Sequence, residues 1–301
     1  AVGQPVHIGW SRQEDFQHGF VRPPTHSILT AATDEQGFIT TIIHQQASGD
    51  VAFPFLPEIA GKVLGADFGA WRGATIPYQI PNIRTIAYRI QLPVKTGWWR
   101  GLGLFANVFA SESFMDELAD AHAADPVDYR MQQMRDDEIG SRMKKVLADV
   151  ADLSGWYQQR ESDLGYGVAM SIDVNTVVAL VAKVVVEDKK IVVQQIFASV
   201  DPGLVINPEG ARNQILGAIT MGVSAALKEE VIVEDGVFVK DNFSSYPLLT
   251  MKESPEIIIN LLSGADQPFG LGEPPIGPVA AAIANAVYNL TGERLRTIPL
   301  R

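Results

Sequence analysis

The chain of 301 residues contains no cysteine. This excludes disulfides, zinc–thiolate sites and cysteine-ligated iron–sulfur clusters within it. No uninterrupted apolar run reaches the roughly 18 residues that a membrane-spanning helix needs. The longest candidate, at 278–290, is interrupted by Asn285 and Asn289. We therefore expect no membrane span in this sequence, and any iron–sulfur redox centre must lie on another chain.

Positive charge is also scarce, since 24 Lys and Arg stand against 35 Asp and Glu, for a formal charge of -11. A nucleic-acid backbone or an anionic membrane would be repelled, and no basic stripe offsets this. The five histidines show no HExxH or similar ligand spacing, and the nearest match to GxSxG, "GVSAA" around Ser224, lacks its final glycine. These absences argue against a histidine metal site and a serine hydrolase. A small phosphorylated ligand, held by a few local groups, remains compatible with the charge.

Short β-rich blocks that meet at turn residues predict hairpins around 34–37, 188–190 and 235–236. Helical patterns, two of them behind the caps Asp125 and Asn207, cover 107–123, 126–135, 208–229 and 278–290. Hairpins separated by helices, without regular βαβ alternation, favour an α+β fold with mixed and antiparallel sheets. The proline-rich stretch 77–93 predicts a junction between residues 1–92 and 93–301. The first residues, "GQPVHIGWSRQEDF", are typical of a chain whose earlier half is missing.

A loop punctuated by glycines, "TGWWRGLG", carries Trp98, Trp99 and Arg100 into the helix that follows. Its glycines allow backbone N–H groups to approach a ligand, and Arg100 favours a negative one. A tight turn with two packing tryptophans is the alternative. In "INPEGARNQILG", Gln214 lies near a helix start, where its amide could orient a polar ligand or serve only in packing.

The stretch "GLGEPP" fixes one carboxylate, Glu273, between a Gly-x-Gly and two prolines, ahead of a run that offers it no charged partner. Pro274 restricts the preceding residue and predicts an extended backbone for Glu273. A lone carboxylate aimed by a stiff loop is a reasonable general base. From these residues alone, an exposed structural glutamate is an equal alternative.

Taken in order, six stretches resemble the C-terminal part of the molybdenum-binding subunit of the xanthine oxidase family, closest to its isoquinoline 1-oxidoreductase and aldehyde dehydrogenase group. They are distributed from residue 3 to residue 300, so that the resemblance extends along nearly the whole sequence, and the last is the most specific. They are "GQPVHIGWSRQEDFQHGFVRP", "GWWRGLGLFANVFASESFMDELADAHAADPVDYR", "GYGVAMSIDVNTVVALVAKVVVE", "VDPGLVINPEGARNQILGAITMGVSAALKEE", "NFSSYPLLTMKESPEI" and "GLGEPPIGPVAAAIANAVYNLTGERLRTIPL".

The resemblance implies that residues 1–92 complete a first molybdopterin-binding domain and that 93–301 form a second. It implies hydroxylation of an aldehyde or an N-heterocycle with oxygen from water, with Glu273 as the general base. It places the remaining site residues around the cofactor, where the aromatic residues Trp98 and Phe105 add a hint of a lined channel. These cofactor-binding residues are Trp99, Arg100, Gly101, Gln214 and Gly272.

The cofactor implied is molybdenum on molybdopterin cytosine dinucleotide. The family's Gly-Gln-Gly loop, which helps to hold the pterin, is absent from this sequence. The resemblance therefore predicts a partner chain with the N-terminal half of the molybdenum subunit and an iron–sulfur subunit with 2Fe–2S clusters. It leaves the compartment open, with a lean to the periplasm. A non-catalytic paralogue or assembly subunit, and a hydrolase with Glu273 as acid or base, are the alternatives.

Overall fold

A computed structural model of the protein describes residues 3–159 and 161–301. The helices within these residues are α1 Arg12–His18, α2 Glu58–Leu64, α3 Phe68–Trp71, α4 Leu104–Ala121, α5 Pro126–Gln132, α6 Glu138–Ser154, α7 Pro208–Leu227 and α8 Val279–Thr291, with 3₁₀ turns at Phe53–Phe55 and Pro274–Ile276. The strands are β1 Thr25–Thr33, β2 Ile39–Ser48, β3 Asn82–Arg89, β4 Gly165–Asp173, β5 Thr176–Glu187, β6 Lys190–Asp201, β7 Val233–Glu234, β8 Val237–Phe238 and β9 Glu256–Leu261.

Two larger sheets carry the fold. The first has the order β1-β2-β3, with β1 antiparallel and β3 parallel to β2. The second has the order β4-β5-β6-β9, with antiparallel neighbours until β9, which runs parallel to β6. The three predicted hairpins are confirmed, as is the α+β class with mixed and antiparallel sheets. The division at 92/93 stays a prediction.

The second sheet is buried on both faces, and β5 shows this most clearly. Its alternate residues enter two different cores: Leu180 and Ala182 join the core under α7 and α8, whereas Ala179 and Val181 join the core under α5 and α6. A strand buried on both sides loses its polar alternation, which explains the continuous apolar run of this segment.

Helix α8 lies against β4 at very short range. An added Cβ on Gly167 would lie 2.1 Å from the backbone nitrogen of Ala286, so only glycine permits this approach. The helix side of the contact consists largely of alanines, and Asn285 donates from Nδ2 to the Val168 carbonyl at 3.0 Å. Since α8 directly follows the turn behind Glu273, this close packing seats the candidate site on the sheet.

The four predicted helices are present, but their ends are shifted. Helix α4 begins at Leu104 rather than at 107, and α5 ends at Gln132 rather than at 135. The Asp125 and Asn207 side chains cap α5 and α7 by accepting backbone N–H bonds. Four helices, α1, α2, α3 and α6, were not predicted. None of the helices within 3–159 and 161–301 has the length and apolarity to cross a membrane.

Candidate active site

Glu273 lies at the end of the loop that follows β9, immediately before the 3₁₀ turn Pro274–Ile276. Its backbone has φ -111° and ψ -39°, so the predicted extended conformation is wrong. The cause is the turn itself, because the Ile276 N–H donates to the Glu273 carbonyl at 3.0 Å and needs helical geometry there. The backbone of Glu273 is thus fixed as the cap of this turn, which leads into α8.

The Glu273 carboxylate is held at both oxygens. Arg72 donates from Nη1 to Oε2 at 2.6 Å, and the Gly101 N–H donates to Oε1 at 3.1 Å. The expectation that the acid has no charged partner is therefore wrong, because its partner comes from 201 residues away in the chain. The side chain is still 36% exposed, so its remaining lone pairs face an accessible space.

Arg72 is itself fixed by Asp173, the last residue of β4. Its Nε and Nη2 donate to the two oxygens of Asp173 at 2.7 and 2.5 Å, a bidentate pair, while Asn107 of α4 donates to the Arg72 carbonyl at 3.0 Å. Burial lowers the pKa of Arg72, but its bonds to Asp173 and Glu273 outweigh this and raise the pKa above its ordinary value. The site thus contains a permanent, immobile cation beside the acid.

Arg100 brings the other candidate residues together. It donates from Nε to the Gly272 carbonyl at 2.5 Å, and from Nη2 to the carbonyl and Oε1 of Gln214 at 3.0 and 3.1 Å. The loop containing Arg100, the start of α7 and the loop containing Glu273 are thereby joined at one point. Since these bonds occupy Arg100, its role in the structure is to hold the two loops and α7 together.

A third arginine, Arg22, binds the backbone of the loop that contains Arg100. It donates to the carbonyls of Arg100 and Leu102 at 2.9 and 2.7 Å and lies over the Phe105 ring. Burial lowers the pKa of Arg22 to about 10. Phe105 is only 3% exposed, so the expectation that it lines a channel is wrong.

Gly101 shows why this loop needs glycine. Its φ of +81° lies in the left-handed region, and an added Cβ would be 2.6 Å from Cγ2 of Ile276 in the turn behind Glu273. The Gly101 N–H can reach the Glu273 carboxylate only because the two segments approach this closely.

Two predicted residues turn toward the accessible side. Trp99 is 40% exposed, and Gln214 is exposed with an amide nitrogen that donates to no atom of residues 3–159 or 161–301. No group of three His, Asp or Glu in these ranges could hold a metal ion. The site therefore offers a fixed carboxylate, a free amide donor and an aromatic face, which together suit one side of an organic cofactor better than direct metal ligation.

Sequence reasoning missed Arg72, Asp173 and Arg22. The two residues that contact each other, Arg72 and Asp173, are 101 positions apart, and neither stands in a motif of its own. Arg22 lies within "FQHGFVRP", a stretch that carried the family resemblance, so its position was a usable signal.

Comparison with known proteins identifies the cofactor class. Models of the molybdopterin cofactor-binding domain match residues 1–134 and 102–255. The isoquinoline 1-oxidoreductase β subunit of Brevundimonas diminuta is 31% identical over 100% of this chain and 39% of its own length. A protein of Gluconacetobacter polyoxogenes named membrane-bound aldehyde dehydrogenase (pyrroloquinoline-quinone) is 30% identical over 99% of this chain and 42% of its own.

Among solved structures, quinoline 2-oxidoreductase from Pseudomonas putida 86 superposes with a TM-score of 0.80 at 14% identity, over 96% of this chain and 62% of the other. At this identity the likeness supports the fold alone. The chain spans about two fifths of the length of the curated relatives that it matches. The resemblance seen in the sequence is confirmed: the chain belongs to the molybdopterin cofactor-binding family, as part of a molybdenum-binding subunit of the xanthine oxidase type.

Proposed function

We propose that this chain is part of the molybdenum-binding subunit of a hydroxylase that oxidises an aldehyde or an N-heterocycle with oxygen from water, with Glu273 as the general base. The observation that carries the proposal is the Glu273 carboxylate, which is anchored by Arg72 and Gly101 yet partly exposed. A general base has to be aimed at one proton and kept within hydrogen-bond reach of it. Two fixed donors accomplish this orientation while lone pairs remain for the substrate side.

The proposed cofactor contacts come from the loop around Arg100 and from α7. Gln214 would donate its unused amide hydrogens, Trp99 would cover an apolar face, and Gly101 and Gly272 would allow close backbone approach. Arg100 would act through Gln214 and Gly272, whose positions it fixes. When bound, molybdenum on molybdopterin cytosine dinucleotide would supply the two-electron redox chemistry, which no side chain of this sequence provides.

These contacts form only one side of a cofactor site. We propose that a partner chain, with the N-terminal half of the molybdenum subunit, provides the other side, and that an iron–sulfur subunit with 2Fe–2S clusters removes the electrons. The length of the relatives supports the first part, because this chain matches only 39% of the isoquinoline 1-oxidoreductase β subunit. The second part comes from the family resemblance and agrees with the absence of cysteine, since this sequence has no thiolate to ligate such clusters.

The proposal is tested on the native complex, isolated through an affinity tag on this chain. We expect about one molybdenum per chain by elemental analysis, a cytosine nucleotide after acid release, and label from ¹⁸O-water in the oxidised product of an aldehyde or an N-heterocycle. A complex with pyrroloquinoline quinone in place of molybdenum would contradict the cofactor assignment. A complex that contains no molybdenum and oxidises neither class would favour the non-catalytic paralogue or assembly subunit, which keeps the fold but binds no cofactor. A molybdenum-loaded complex that oxidises neither class would overturn the substrate assignment.

The isolated chain gives a second measurement. Expressed alone, it is expected to retain little molybdenum, because it encloses only part of the cofactor. Stoichiometric metal on the single chain would show that no partner is needed for cofactor binding.

A further inference from the structure

Four aromatic side chains form a continuous row beside the candidate site. Phe20 contacts Phe55 with ring centroids 4.8 Å apart, and Trp98 lies between Phe55 and Phe68 at 6.0 and 6.1 Å. Each of these four residues is 40% to 46% exposed. Contiguous exposed apolar patches often mark interaction sites, and aromatic residues are enriched in interfaces. This aromatic row therefore has the character of a contact surface.

Helix α2 extends the same surface. It packs on the turn that contains Phe55, while Ile59 and Val63 remain 68% and 76% exposed. These two residues are four positions apart and so share one helix face. A short helix gains most of its stability from packing its apolar face. The face formed by Ile59 and Val63 thus lacks the cover that would normally hold α2 in place.

The aromatic row is continuous with the site. Trp98 immediately precedes Trp99 and Arg100, and Arg100 is bonded to both Gln214 and Gly272. Trp98 and Trp99 are 43% and 40% exposed, so both the aromatic row and the neighbouring site loop have accessible surface. A polypeptide that packs on Trp98 would therefore lie next to the loop that contributes Trp99 and Arg100 to the proposed cofactor site.

We infer that the aromatic row and the Ile59–Val63 face of α2 are the surface on which the remainder of the molybdenum-binding subunit packs. The inference rests on the proposed function, from which it takes the partner chain. The remainder of this subunit is the expected partner because the matched relatives are more than twice as long as this chain, and because the aromatic row adjoins the loop of the proposed cofactor site. A second copy of the chain would cover the aromatic row without supplying the missing cofactor loop.

The test uses two charge substitutions on the exposed helix, Ile59→Glu and Val63→Glu, each in the tagged chain. Met251→Glu is the matched control, since Met251 is 97% exposed and distant in sequence from the aromatic row. The measurement is the amount of molybdenum-subunit partner, identified by mass and sequence, that co-purifies with each variant. A buried charge in an interface core should reduce recovery about tenfold or more, while the control retains the wild-type amount. Circular dichroism of each isolated variant checks that it is folded, and Phe68→Ser provides a variant outside α2.

Three results would overturn the inference. Folded variants could retain the partner at the wild-type level, or only the control could lose it. The isolated chain could also form a dimer that Val63→Glu dissolves while the partner still binds, which would assign the surface to a second copy. A Glu273→Gln complex separates this test from that of the proposed function, because it should lose turnover and keep the partner.

Discussion

Glu112 and Glu273 each bind an arginine, but in opposite surroundings. Glu112 lies in the core, only 2% exposed, and accepts bonds from Tyr78, Arg130 and the Met170 N–H at 2.8 to 3.0 Å. Burial lowers the pKa of Arg130, but Glu112 and other neighbours outweigh this and raise it. Burial is also the main cause of the raised pKa of Tyr78. This pair is closed on every side and can only stabilise the fold.

Glu273 has fewer partners and more space. It accepts one bond from Arg72 and one from Gly101, and its side chain is 36% exposed. The proposed base thus has enough donors to fix its direction, and one side is left open for the proton that it would take. The experiments below separate the two kinds of pair.

The largest effect is expected for Glu273→Gln in the native complex. Loss of the general base should lower kcat about 10²- to 10⁴-fold, whereas molybdenum content and thermal stability stay near normal because glutamine keeps the shape. Glu256→Gln is the control, since the Glu256 side chain is exposed and, among residues 3–159 and 161–301, accepts a side-chain bond from Gln195 alone. Steady-state rates at matched molybdenum content are the measurement. A variant with full activity would remove Glu273 from the mechanism.

Glu112→Gln should instead lower the stability of the fold. It leaves Arg130 buried without its carboxylate, and breaking a buried pair in this way costs about 3–5 kcal/mol of unfolding free energy. Urea unfolding of the isolated chain measures this cost against the same Glu256→Gln control. A loss below about 1 kcal/mol, the range of exposed pairs, would mean that water or Asp116 replaces Glu112.

Asp173→Asn tests how Arg72 is held. Asparagine cannot form the bidentate charged pair, so the guanidinium should shift and misplace the Glu273 carboxylate, with a fall in kcat of about tenfold or more. Asp50→Asn is a close control, because Asp50 binds Arg89 through the same two atoms, Nε and Nη2, but in an exposed pair. Asp50→Asn should lower the unfolding free energy by under about 1 kcal/mol and leave kcat unchanged. Equal effects of the two variants would mean that Asp173 has no special role at the site.

Features that depend on neighbouring residues could be predicted from the sequence. The glutamate in "GLGEPP" and the arginine in "WWRGLG" were selected from local patterns, and the structure places both at one point. The caps at Asp125 and Asn207 depend on neighbours within three residues, which explains why they could be predicted. Helix α1 was missed although Ser11 and Glu14 form a capping box, a signal that was present in the sequence.

Long-range contacts left no comparable signal. The parallel pairs β2–β3 and β6–β9 join strands separated by other elements, and the Arg72–Glu273 bond spans 201 positions. No periodicity encodes such a contact. The conformation of Glu273 was predicted wrongly for a related reason. The rule for residues before proline is local, whereas the turn capped by Glu273 buries Ile276 in the core and contacts α7 and β5.

Gly101→Ala has the smallest expected effect and tests how closely the two site segments must approach. Both Gly101 and Gly236 have left-handed φ values, +81° and +78°, but an added Cβ would overlap Ile276 only at Gly101, and nothing lies within 4 Å at Gly236. Alanine at Gly236 therefore reports the backbone strain alone. The excess loss of unfolding free energy at Gly101 should be about 1 kcal/mol, the low end for overpacking, measured by urea unfolding of both variants.

Because the overlap pushes Gly101 away from the turn, its N–H bond to Glu273 should weaken, so kcat should fall for Gly101→Ala and not for Gly236→Ala. Equal stability and equal kcat in the two variants would show that the Glu273 carboxylate is oriented by Arg72 without the backbone N–H of Gly101.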